Sequence, residues 1–181
     1  MSSRYDSIIK VRQGTALNML SKEDITAASA FWPNIDPALF YSNLRRNILY
    51  PAKINQGGAT NFCGYAAFTH VLLKYYPDIY MRDILSLYHN GKVKLRRKEL
   101  KPSKAVRETA GELKNKGELD FLDANQLWFL TLADEFKGYI NFIDHSYNKG
   151  DENKIWAGTN YAKFNNMLKE FTGTKLEMRG S

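Results

Sequence analysis

Residues 55–67 read Asn55-Gln56-Gly57-Gly58-Ala59-Thr60-Asn61-Phe62-Cys63-Gly64-Tyr65-Ala66-Ala67, and they hold the one cysteine of the 181-residue chain. Gly57 and Gly58 rule out a regular helix and let the backbone approach another group closely. From Gly64 onward the pattern changes. Over 64–76, Ala66, Ala67, Phe68, Val71, Leu72, Leu73, Tyr75 and Tyr76 leave apolar groups on almost every side. That pattern predicts a central helix, the most buried of the chain, terminated by Pro77. Cys63 therefore stands where a glycine-rich loop meets a helix N-terminus.

This position has chemical consequences. A cysteine attacks as the thiolate, and a free thiol has a pKa of about 8.5. Unpaired N–H groups and the macrodipole at a helix N-terminus favour an anion. Gly64 lets a substrate or a partner side chain lie close to the sulfur. Gln56, on the loop seven residues before Cys63, is placed to offer its side-chain amide to an oxyanion, beside the backbone N–H of Cys63. The competing reading is a buried structural cysteine that acts as a small hydrophobe.

A Gln, a Gly-containing loop and Cys-Gly at a helix start resemble the papain-like cysteine peptidases. More narrowly, QGGATNFCGYAAF (56–68), LLKYYPDIY (72–80) and ILSLYHNGKVKL (84–95) are similar to papain-like domains of bacterial polymorphic toxins and secretion-system effectors, type VI effectors among them. The likeness covers about 54–95, is faint over 101–171 and does not cover the first fifty residues. The Gln-to-Cys spacing is slightly longer than papain's. The resemblance implies an α+β, mainly helical papain-like domain with a small antiparallel sheet. It also implies that Cys63 is the nucleophile and Gln56 the oxyanion residue, and that the activity is hydrolysis of a peptide or related amide bond in a target-cell protein. An antibacterial toxin secreted or delivered into a target cell's cytoplasm, with a cognate immunity protein as partner, follows from the resemblance alone. Deamidation and acyl transfer share the same nucleophile and stay open.

Papain-like catalysis needs a histidine near the sulfur, oriented by an Asn or Asp. His70 lies two turns up the same helix, ~10 Å from Cys63 by helix rise, and reads as structural. His89, beside Asn90-Gly91 at the end of the next helix, suits the helix C-terminus. His145 follows a candidate strand at 139–143 and is flanked by Asp144, with Asn148 near. The order cysteine, histidine, acid or amide matches the papain arrangement. The expected catalytic set is thus Cys63, His145, Gln56 and Asp144, with Gly57, Gly58, Asn61 and Gly64 lining the substrate. In the family the histidine opens a strand of the sheet. Met178-Arg179-Gly180-Ser181 resembles an expression-vector scar, so the alternative is that the true histidine and much of the sheet lie beyond Ser181.

Composition narrows the other classes. A lone cysteine excludes an internal disulfide framework and a zinc site built on several cysteines. No HExxH, P-loop or GxGxxG pattern occurs, which argues against a metal hydrolase, an NTPase and a dinucleotide enzyme; no metal or cofactor is expected. No signal peptide or membrane-spanning stretch is read. The formal charge is +7, and residues 92–116 carry it: Lys92, Lys94, Arg96, Arg97, Lys98, Lys101, Lys104, Arg107, Lys114 and Lys116 face only Glu99, Glu108 and Glu112. A solvated face explains such a run. The alternative function is a catalytically inert binding module that uses this segment for an acidic protein or nucleic acid. It holds no aromatic residue, so base stacking is not indicated.

A single domain is expected, with a helical part at 1–53, the nucleophile loop and helices at 54–91, the basic segment at 92–117 and a C-terminal part at 118–178. No firm signal is read in 1–20. Ser21, Glu23 and Asp24 predict a helix start running to about Trp32. Asp36-Pro37 opens another with Leu39, Phe40, Leu44 and Ile48 on its apolar face. Asp78 is expected to cap a helix ending at Asn90-Gly91, Pro102-Ser103 to start a short one, 119–136 to form a strong one capped by Asp120 or Asp123, and Asn160 to start a last one closed by Gly173. Residues 175–178 hint at a strand.

Overall fold

The computed structural model describes residues 2–57, 60–113, 122–136 and 158–173. Asp36 begins the first segment legible in the sequence. Its carboxylate accepts from Leu39 N at 2.8 Å, and Pro37 occupies the first position of a helix spanning Pro37–Leu49. In chain order the helices are α1 (Ser2–Leu20), α2 (Pro37–Leu49), α3 (Cys63–Tyr75), α4 (Pro77–Asn90), α5 (Lys104–Thr109), α6 (Asp123–Phe136) and α7 (Tyr161–Thr172), with a 3-10 turn at Pro51–Lys53. Strands β1 (Val93–Lys94) and β2 (Glu99–Leu100) pair antiparallel, Val93 against Leu100 and Lys94 against Glu99. The described residues are therefore mainly helical with one small sheet, an α+β composition.

Several expectations are corrected. Residues 2–20 form a helix, although the segment carries Gly14 and a weak apolar pattern; it is held by packing on α2 and α4, with Ala16 and Leu20 buried. No helix begins at Ser21. Its hydroxyl donates to Asn18 O at 2.9 Å and so closes α1, while Asp24 accepts from Thr26 N and Oγ1 in a local turn. Trp32 is buried and donates to Leu87 O at 2.7 Å. Asp78 does not cap α4: Tyr76 is the N-cap, Pro77 takes the first position, and Asp78 faces Arg12 at 3.8 Å. Leu39 is largely exposed and Tyr41 takes its place on the buried face of α2. The most enclosed helix is α6, not α3. All of α6 except Asp134 and Glu135 is buried, whereas α3 buries Tyr65, Phe68, Thr69, Leu72 and Leu73 and exposes Ala67, Lys74 and Tyr75. Each fully buried Leu or Phe on α6 contributes roughly 1.5–3 kcal/mol. Asp123 stands at the start of α6 and accepts from Asp36 N at 2.9 Å, joining the starts of α2 and α6.

Other local signals match. Gly91 ends α4 in the left-handed region (φ 65°), Ser103 caps α5 by accepting from Val106 N, and Asn160 and Gly173 bound α7. Helices α3 and α7 lie side by side and run the same way: Gly64 meets Thr159, Phe68 meets Phe164 with ring centroids 5.9 Å apart, and Val71 shares an apolar hollow with Leu168. The strands expected at 139–143 and 175–178, and Asp120, lie outside the described residues. No described helix is long and apolar enough to cross a membrane.

Candidate active site around Cys63

The loop before α3 is held by its own polar groups. Asn55 Oδ1 accepts from Gly57 N at 2.9 Å, which turns the chain at Gly57 (φ 83°). A side chain at that φ would be strained, so the glycine is required. The Thr60 hydroxyl donates to Gln56 O at 2.7 Å, and Thr60 Oγ1 in turn accepts from Phe62 N at 3.3 Å. One hydroxyl thus ties the backbone of Gln56 to the residue preceding Cys63. Phe62 is fully buried, edge-on to Tyr65 and Phe129 with centroids 5.7 and 6.2 Å away. Its carbonyl accepts from Ala66 N at 2.9 Å, the first bond of α3.

Cys63 is the first residue of that helix, and its side chain is exposed. The reading of a buried structural cysteine is therefore corrected: the thiol faces outward because Phe62 and Tyr65 take the inward positions. Asn61 is exposed, Gln56 is half-buried and Gly57 is buried. At Gly64 the space of a side chain is filled by the methyl of Thr159, so the close neighbour there is part of the chain itself.

The loop is also anchored from the core by a chain of amides that the sequence reading missed. Asn47 donates both Nδ2 hydrogens, to Asn125 Oδ1 at 2.8 Å and to Tyr80 OH at 3.1 Å, and Asn43 Nδ2 donates to Asn47 Oδ1 at 3.2 Å. Asn125 N donates to Asn43 Oδ1 at 3.2 Å, and Asn125 Nδ2 reaches Asn55 O at 3.4 Å. All four of Asn43, Asn47, Tyr80 and Asn125 are buried, where a satisfied network fixes one arrangement. Burial pushes the Tyr80 phenol above its ordinary range, so it stays neutral. A signal existed: Asn43 and Asn47 lie four residues apart on the stripe of Phe40, Leu44 and Ile48.

The histidines separate. His70 Nδ1 donates to Pro51 O at 3.0 Å, pinning α3 to the 3-10 turn. His89, in the last turn of α4, places Nε2 2.6 Å from Glu23 Oε2, so its partner is a carboxylate as well as the helix end. Gly58, Asp144 and His145 lie outside the described residues. The basic segment alternates, with Val93, Leu95 and Leu100 buried and Lys92, Lys94, Arg96 and Arg97 exposed. Lys92 pairs with Glu99, Lys98 with Glu135 and Lys104 with Glu108, at 3.3, 3.2 and 3.5 Å. Among the described residues no group of three or more His, Cys, Asp or Glu is placed to hold a metal ion. No family, curated protein or solved structure matches the chain.

Proposed function

We propose that the chain is a papain-like cysteine peptidase that acts as an interbacterial effector toxin, with Cys63 as nucleophile, Gln56 as oxyanion donor and His145, oriented by Asp144, as base. The observation that carries the peptidase reading is the exposed Cys63 at the first position of α3, preceded by a loop whose Thr60 links Gln56 to Phe62. An exposed thiol at a helix start, with the backbone of a candidate oxyanion donor tied to the same helix end, supplies two of the parts that acyl transfer uses, the third being a base. Two further points support it. His70 and His89 are engaged by Pro51 and Glu23, which favours His145 among the three histidines of the sequence. Thr159, which follows His145 in the sequence, lies against Gly64 beside Cys63. The thiol would add to an amide carbonyl, the amine would leave with a proton from the imidazolium, and water would release the acid. Delivery into a target cell and an immunity partner rest on the sequence resemblance.

The test is the pH dependence of Cys63 alkylation by iodoacetamide in the chain and in His145→Ala. A rate that stays high well below the free-thiol range and drops in the variant is expected. Ordinary thiol behaviour in both would overturn the reading.

A second reading has its own observation. Arg82, Lys94 and Arg96 border a groove of about 450 Å³ floored by Ile79, Leu95 and Phe171, and Lys94 and Arg96 have no carboxylate partner among the described residues. An inert module binding an acidic protein there would lose its partner steeply with salt and be indifferent to Cys63→Ala.

A further inference from the structure

We propose that Thr60 is a positioning residue: by holding the backbone of Gln56, which Asn125 braces from the core through Asn55, it sets the Gln56 amide against the Cys63 end of α3; this rests on the peptidase reading above. Gln56 is followed by a buried turn at Gly57 and a further glycine, so the local backbone does little by itself to fix its side chain. Two contacts supply the constraint. On one side the Asn125 amide holds Asn55 O at 3.4 Å, and Asn125 is itself locked by Asn43 and Asn47. On the other, the Thr60 hydroxyl receives Phe62 N and gives its proton to Gln56 O. Gln56 is thus held between a rigid core and the first turn of the nucleophile's helix. Neither Thr60 nor Asn125 needs to touch a substrate. Their effect is geometric, and an oxyanion donor displaced by an ångström loses much of its value.

The two probes separate this role from general damage. In the first, Cys63 Sγ adds to the carbonyl carbon of ¹³C-labelled N-acetylglycinal, the C=O π pair moves to oxygen and the oxygen takes the thiol proton, giving a hemithioacetal whose oxygen sits where an oxyanion would. In the second, the Cys63 thiol gives its proton to solvent and its sulfur forms an S–C bond with iodoacetamide as the C–I bond breaks and iodide leaves; no oxyanion develops, so the reaction does not consult Gln56. Hemithioacetal formation, followed by ¹³C NMR on the full chain, is expected to weaken by about tenfold or more in Gln56→Ala, as loss of an oxyanion donor requires. Thr60→Val should reproduce most of that loss, Thr60→Ser should restore binding, and the alkylation rate should be unchanged in all three. A Gln56-dependent parent with unaltered Thr60→Val would overturn the positioning role alone. A parent in which Gln56→Ala has no effect would overturn the oxyanion assignment and this inference with it. Equal losses with both probes in a Thr60→Val chain of lowered melting temperature would show a structural role only and overturn the proposal too.

Discussion

The methyl of Thr159 fills the volume that a side chain on Gly64 would need, one residue after the exposed Cys63. Thr159 immediately precedes Asn160, the N-cap of α7, so the starts of α3 and α7 are fitted to each other at this point. Gly64→Ala must displace a short side chain attached to helix-bound backbone. We expect a loss of roughly 1–3 kcal/mol, the usual scale of overpacking, read as a lower midpoint in urea. Adding Thr159→Ala should recover part of it, because the remaining Thr159 Cβ lies 3.2 Å from the new group and needs only a small shift. Equal stability of Gly64→Ala and the parent would show that the two residues are not seated together.

Asn47 offers a sharper test of the buried amide chain. Asn47→Leu keeps the volume but strands Tyr80 OH, Asn125 Oδ1 and Asn43 Nδ2 away from water. At ~1–3 kcal/mol for each buried group left without a partner, the variant should lose about 3 kcal/mol or more by chemical denaturation. A loss no greater than that of an exposed substitution would mean that the network is hydrated and contributes little.

Asp83 should make stability depend on pH in an unusual direction. Its side chain is wholly buried, and Arg82 Nε donates to Oδ1 at 2.7 Å while Oδ2 has no partner among the described residues. Burial pushes the carboxyl up from its ordinary 3.8, and the bond from Arg82 offsets only part of that. The folded state therefore holds this proton more tightly than the unfolded chain. The contribution is fully present below the ordinary value and is lost as pH rises through the folded one. In Asp83→Asn that decline should vanish, so the variant gains on the parent across the window. Parallel stability curves for the two chains would refute it.

Gly91 combines two constraints at the end of α4. Its φ of 65° disfavours a side chain, and an added Cβ would run into the ring of Phe31 at 2.5 Å. Gly91→Asn relieves the first but not the second, so it should remain destabilised, by about 1–2 kcal/mol, and recover when combined with Phe31→Ala only to the extent that the lost ring contacts allow. Thermal melts of the three chains check this.

What was legible in the sequence was local. Asp36-Pro37, Ser103, Asn160 and the glycines at 91 and 173 announce helix ends because a cap is made by a residue and its near neighbours. Ser21 misled for the same reason: its hydroxyl makes a good cap, but it serves the carbonyls behind it rather than the amides ahead. The helix at Ser2–Leu20 was invisible because packing against α4 and α2, and not its own pattern, holds it. The junction of loop and helix at Cys63 could be read from glycines and periodicity. Its braces could not, because Thr60 contacts a residue on the far side of a glycine turn and Asn125 acts from a helix seventy residues away.

The parallel course of α3 and α7 has an electrostatic consequence. Neighbouring helices pointing the same way repel along their length, but they bring both positive ends to one corner of the surface. Neither first turn carries an acid to offset them, and Lys163 adds its ammonium in the first turn of α7, where partial burial draws its pKa down from the usual lysine range. Among the described residues, these two helix ends and Lys163 favour an anion on the approach to Cys63. Carboxylate-bearing molecules should arrive faster than cationic ones of the same size, and the difference should fade as salt shortens the reach of the field to about 8 Å at physiological ionic strength.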